Sequence, residues 1–238
     1  MIEQLRKLIS ATALCELERK VEKHFPRRRV LTFSYLVVWL LSGHKLSLEN
    51  TLNKFFKSSG QLFKVPTRSA DGPARQNIKA AIFVHLNNRV RADFYRLYGA
   101  EEQLEKWCGQ RLSGSDGTAL KVPDTKELRK VFSVPRKQHN GERFAAVQAL
   151  GMVLSDWPNE IGVNGAIAPS HRAEKSWLFN ELWSELKAGE GLVVDRQSAD
   201  YSIVGQAVRD NLDVIIRWPR QSFKAVMGFS QGRTKKNS

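Results

Sequence analysis

Apolar residues recur every four positions at Leu5, Ile9, Ala13, Leu17 and Val21, with Glu, Lys and Arg between them. This spacing predicts one amphipathic helix over residues 2–23, closed by Phe25-Pro26. Residues 30–41 are almost wholly apolar, interrupted by Thr32 and Ser34, and predict a buried helix that Ser42-Gly43 ends. Ser47 is placed to cap a further helix through residue 56, with Leu48, Leu52, Phe55 and Phe56 apolar. Asp71-Gly72-Pro73 starts another, because proline suits the first helical turn, and Ile78, Ala81, Ile82, His85 and Leu86 share one of its faces. His85 reads as a packing histidine; Tyr95, Tyr98 and Trp107 surround a last helical stretch and read as core.

After Leu112 the period changes from helical to extended. The run through Asp116 ends at a Pro123-Asp124-Thr125 turn, residues 144–154 are largely apolar, and Ile161, Val163 and Ile167 alternate as on one face of a strand. These three predicted strands form an antiparallel meander. Trp177, Leu178, Leu182, Trp183 and Leu186 then fall on one side of a predicted helix, with Glu174, Glu181 and Glu185 elsewhere and Ala188-Gly189 at its end. Leu192-Val193-Val194 is a short apolar strand of the kind buried in parallel sheets, and it delivers Asp195 at its end. Ile203, Val204, Ala207 and Val208 mark a second helix, and Leu212, Val214, Ile216 and Trp218 a fifth strand.

The order strand, strand, strand, helix, strand, helix, strand matches the ribonuclease-H-like fold, in which the first and fourth strands lie side by side. Asp116 and Asp195, 79 positions apart in the chain, would then be neighbours. Two adjacent carboxylates repel unless cations lie between them, which is the logic of a two-metal site for phosphoryl displacement. The bland alternative is that both are turn or capping residues in an inert sheet.

Composition narrows the function classes. With 238 residues the chain makes one large domain or two small ones. Lys and Arg number 38 against 24 Asp and Glu, a net charge of +14 that favours a polyanion through counterion release. Residues 1–110 carry 19 basic and 10 acidic side chains, so most of the excess lies in the helical half. No window reaches the eighteen or so apolar residues of a membrane span, and the start does not read as a signal peptide; a cytoplasmic protein is expected, with no membrane partner. Cys15 and Cys108 stand alone, which points away from a disulfide framework or a zinc site. Arg27, Arg28 and Arg29 form a candidate phosphate clamp or a solvated basic turn. Arg75, Gln76, Lys79 and Asn87 share the polar face of the helix that begins near Pro73 and make it either a recognition helix in a DNA major groove or a merely solvated face.

Asp116-Gly117-Thr118 followed by Val122-Pro123-Asp124-Thr125, and Val193-Val194-Asp195-Arg196 downstream of a segment with His171, Arg172 and Glu174, resemble the DDE transposases of bacterial insertion sequences. The resemblance covers residues 110–220 well and the helical half loosely. It implies an α/β protein: a helical, basic DNA-binding module over 1–110, a partial ribonuclease-H-like mixed sheet with flanking helices over 111–221, and the start of a missing insertion or a disordered tail over 222–238. It further implies that Asp116 and Asp195 are the first two acids of a triad that binds two Mg²⁺ (or Mn²⁺) ions, with double-stranded DNA as partner and room for a homodimer on DNA. Such enzymes cut element ends and join the freed 3′ hydroxyl to target DNA. Two departures follow from the residues. Gln197, Ser198 and Ala199 stand where the family places Gly and an aromatic, with Tyr201 as a delayed aromatic, and no Glu follows Glu190 to serve as third acid. The expectation is therefore a C-terminally incomplete transposase whose strand cleavage is impaired, against the alternative of a non-catalytic DNA-binding remnant or inhibitor of a full-length enzyme. A carboxylate-pair sugar hydrolase is disfavoured, since it has no use for the basic excess. Loss of a covering domain would also leave Val214, Ile216 and Phe223 partly exposed.

Overall fold

A computed structural model describes residues 2–25, 31–43, 47–60, 65–100, 102–132, 147–169, 178–195 and 200–217. The chain is a mixed α/β protein that divides into two compact units, Met1–Phe94 and Tyr95–Ser238. The change of periodicity near residue 110 marks where helix gives way to strand, whereas packing changes earlier. Tyr95 and Gln110 already bond to sheet residues, Tyr95 to Asp156 and Gln110 to Asp213.

The first unit is helical: α1 Ile2–Ser10, α2 Thr12–Glu18, α3 Phe33–Leu41, α4 Leu48–Ser58, α5 Arg68–Gln76 and α6, Ala81–Ala100, in which the division between the units falls. Its core gathers Ile9, Leu14, Leu36, Val37, Trp39, Leu52, Phe56, Ile78, Ile82 and Leu86; of the stripe expected over residues 2–23, Ile9 is buried, whereas Ala13, Leu17 and Val21 are exposed and Leu14 turns inward instead. Phe56 stacks on Tyr35 with ring centroids 5.7 Å apart, and Phe55 meets Trp39 edge-on at 5.6 Å. The Thr32 side chain accepts a hydrogen bond from Tyr35 N–H and so caps α3, whereas Ser47 holds the N-cap position of α4 without such a bond.

Two helices predicted as continuous are divided. The helix expected over residues 2–23 breaks at Ala11, whose ψ of 132° is extended. A carbonyl freed by the break, that of Ile9, accepts a hydrogen bond from Ser34 Oγ at 3.0 Å. The helix expected from Pro73 onward through Leu86 begins earlier, at Arg68, and stops at Gln76. There the backbone turns to bridge residues after α2: Lys20 N–H donates to Asn77 O at 3.0 Å, Lys79 N–H donates to Glu18 O at 2.8 Å, and Ile78 pairs with Arg19. Periodicity misses such a break because the apolar spacing of Ile78, Ile82 and Leu86 carries across it.

The second unit is built on one five-stranded sheet of order β3-β2-β1-β4-β5, with β1 Leu112–Val122, β2 Val147–Asp156, β3 Ile161–Pro169, β4 Gly191–Val194 and β5 Asp213–Ile216. β1, β2 and β3 pair antiparallel, and β4 and β5 join parallel to β1. Helix α7 spans Lys126–Val131 after the Pro123 turn, capped by the Thr125 side chain, and α8 spans Tyr201–Arg209 between β4 and β5, capped by Asp200. In place of a regular helix before β4, the described residues form a π turn, Leu178–Leu182, and a 3₁₀ turn, Trp183–Glu185. Trp177, Glu174, His171 and Arg172 lie outside the described residues, as do Phe144, Trp218, Phe223 and the 222–238 segment.

One face of this sheet is packed. Met152, Leu154, Leu192 and Val194 meet Leu178, Leu182 and Ile203, all of them buried. Because side chains alternate along a strand, the other face carries Gly114 and Asp116 of β1, Val153 and Ser155 of β2, Val193 of β4 and Ile215 of β5. Val153 and Ile215 remain well exposed there, at 50% and 40%. Val214 and Ile216, expected to be partly exposed, are half-buried on the packed side of β5, against the core of the unit.

Candidate functional site

Asp116 enters the site through the register of β1. Leu112, Ser113, Gly114 and Ser115 are buried, and Asp116 is the first exposed residue of the strand. β1 pairs with β4 only as far as Ser115, which lies opposite Val194. Asp116 is the next residue of β1 and Asp195 the residue that follows β4, so the two carboxylate-bearing positions stand at adjacent places where the parallel pairing stops. Adjacent strands lie about 4.8 Å apart. Val194 is opposite Ile216 in β5, which puts Arg217 at the corresponding place beside Asp195. The Arg217 N–H donates to Val194 O at 3.4 Å.

Asp116, Asp195 and Arg217 line one cavity of about 700 Å³ together with Val153, Ser155, Trp157, Val193 and Ile215. Neither aspartate makes an ion pair among the described residues, and neither does Arg217. Two exposed carboxylates at neighbouring strands, neither in an ion pair among the described residues, supply hard oxygen ligands of the kind Mg²⁺ and Mn²⁺ take, and an open cavity leaves room for water to complete a shell. The donor set therefore fits such an ion. Among the described residues, no group of three or more His, Cys, Asp and Glu side chains converges on one point.

A second cluster braces β1 at its start. Asp156 is fully buried and accepts hydrogen bonds from Tyr95 Oη at 2.7 Å and Asn159 Nδ2 at 2.9 Å. Burial, and then the bond to Asp156, push the Tyr95 hydroxyl up to about 12. Arg111, immediately before β1, pairs with Glu190, immediately before β4, through Nη2 and Oε2. Its Nη2 also donates to Glu185 O at 3.1 Å. The two strands that present the aspartates are thus tied together at the end opposite the cavity.

The sequence-predicted DNA contacts in the first unit are placed differently from one another. Arg75 pairs with Asp71 at 2.7 Å, and Asp71, nearly fully buried, also accepts from Trp39 Nε1 at 2.9 Å. Lys79 Nζ donates to Leu17 O at 2.6 Å, in the last turn of α2, where a cation is favoured by the helix dipole. Gln76 ends α5 on the surface, while Asn87 belongs to α6, so the four polar residues do not form the face of one helix. His85, expected to pack in the core, is exposed instead, and its Nδ1 meets Oε1 of the buried Glu18. Arg27, Arg28 and Arg29, and Arg196 beside Asp195, lie outside the described residues.

Trp157 and Arg217 are cavity residues that the strand pattern does not single out. Gly114, two positions before Asp116, is the available signal, since a glycine inside a strand marks close approach of another group. No helix among the described residues is long and apolar enough to cross a membrane. Compared with known proteins, the chain is matched by no family model and by no curated protein.

Proposed function

We propose that this protein is a DNA-processing protein of the DDE transposase kind, with a ribonuclease-H-like catalytic unit. In this reading it binds double-stranded DNA in the cytoplasm, as a homodimer on DNA, and cuts and transfers DNA strands in a reaction that depends on divalent metal. The observation that carries this reading is the placement of Asp116 and Asp195: 79 positions apart in the chain, they come from adjacent parallel strands and line one cavity. The sheet order and the +14 charge support it. In this reading Asp116 and Asp195 hold Mg²⁺ or Mn²⁺, which when bound would stabilise the charge of a phosphoryl displacement. Asp116 and Asp195 fix the position of that charge where the pairing of two interior strands ends, and Arg217 adds a cation beside them. The basic surface of the first unit, with Gln76 free to reach outward, supplies the salt-dependent hold on the duplex.

A second reading, DNA binding without cutting, is favoured by one observation: two carboxylates face the cavity, and no third ligating side chain joins them among the described residues. Nicking of supercoiled plasmid in Mg²⁺ or Mn²⁺ separates the two. The catalytic reading expects nicking that falls to background in both Asp116→Asn and Asp195→Asn. Salt-sensitive DNA binding without nicking selects the second reading, and nicking that survives both substitutions removes the aspartates from the chemistry.

A further inference from the structure

The indole of Trp157 lies against the backbone of β1. A Cβ placed on Gly114 would stand 1.9 Å from Trp157 Nε1 and 2.0 Å from Cε2, so the ring occupies the place of a side chain at that position. Its own N–H, on the main chain, donates to Leu112 O at 3.0 Å and fixes the turn that carries it. A tryptophan seated so closely would ordinarily be covered, yet Trp157 is 50% exposed and forms part of the cavity wall with Asp116 and Asp195. Arg217 stands on the β5 side of the same cavity, its guanidinium without an ion-pair partner among the described residues although two carboxylates share the space. The cavity, at about 700 Å³, is much larger than one or two hydrated ions require and falls in the range of organic ligand sites.

We infer that this cavity holds one nucleotide of a DNA strand, with its base stacked on the indole of Trp157 and its phosphate against Arg217. The inference rests on the DNA-processing reading and adds to it the residues that position the strand. The chemistry of the wall matches the parts of a nucleotide: an aromatic face for the base, a planar guanidinium for phosphate oxygens, and apolar Val153, Val193 and Ile215 to exclude water between them. A base in a continuous duplex has both faces stacked on its neighbours, so a cavity of this kind takes a nucleotide from a single strand, an end or an opened duplex.

The test is fluorescence anisotropy of a labelled oligothymidine and of a labelled duplex of the same length, in Ca²⁺ and across a salt series, for the whole chain and for Trp157→Phe, Trp157→Ala and Arg217→Ala. Trp157→Ala is expected to weaken oligothymidine binding about tenfold with an unchanged salt slope, since stacking releases no counterion. Trp157→Phe, which keeps an aromatic face, retains most of the affinity and loses the part of the tryptophan quenching that oligothymidine produces in the unaltered protein. Arg217→Ala is expected to lower the salt slope by about 0.7, the value of one phosphate contact on a single strand. Affinity, quenching and slope unchanged in these variants, with DNA binding intact in the unaltered protein, overturn the nucleotide site and leave the DNA reading standing. Failure of the unaltered protein to bind either DNA overturns both.

Discussion

The indole of Trp157 fills the space that a side chain on Gly114 would need, its Nε1 lying 1.9 Å from where a Cβ would stand. Gly114→Ala therefore forces the ring or the turn between β2 and β3 to move. A destabilisation of about 1–3 kcal/mol is expected, the usual cost of overpacking, together with a shift in tryptophan emission as the indole is displaced. Urea melts followed by fluorescence check this, and an unaltered midpoint and emission maximum would contradict the contact.

Asp71 in the first unit acts as an anchor. It accepts from Trp39 Nε1 and pairs with Arg75, itself partly exposed. Asp71→Ala removes the carboxylate that accepts from the buried Trp39 indole and is expected to cost about 1–3 kcal/mol, while Asp71→Asn, which can still accept from Trp39, costs less. Equal losses in the two variants would mean that the Trp39 bond contributes nothing.

The Tyr95 hydroxyl, pushed up to about 12 from an ordinary value of 10.0, makes the second unit sensitive to alkali. A proton held more tightly in the folded state gives stability that is complete below the unfolded value, near 10, and is lost as pH rises toward 12. Melting temperature should thus fall over this window, and Tyr95→Phe should remove that part of the fall. A variant with the same alkaline profile as the unaltered protein would show that Tyr95 does not carry it.

Of the sheet, most was legible in the residues. β2, β3, β4 and β5 announce themselves by alternation or by short apolar runs between turns, and their order matches a fold that sets Asp116 beside Asp195. Such patterns record which residues are apolar, not which groups replace a missing hydrogen bond. The break at Ala11 depends on Ser34 reaching Ile9 O, and the break after Gln76 on pairing with residues 18–20, and both partners are remote in sequence. The same limit hid the engagement of Arg75 by Asp71 and of Lys79 by Leu17 O, which left Gln76 as the freer member of that trio. Trp157 and Arg217 escaped because a turn residue and a strand-end residue have no period to betray them.

That Asp116 and Asp195 act as one site is tested most directly by Mn²⁺ titration followed by electron paramagnetic resonance, with Asp213→Asn, on the edge strand β5, as control. Both Asp116→Asn and Asp195→Asn are expected to lose the same bound Mn²⁺, with Asp213→Asn behaving as the unaltered protein. Full Mn²⁺ binding in either aspartate variant, or loss equal to that of the control, would contradict a shared metal site.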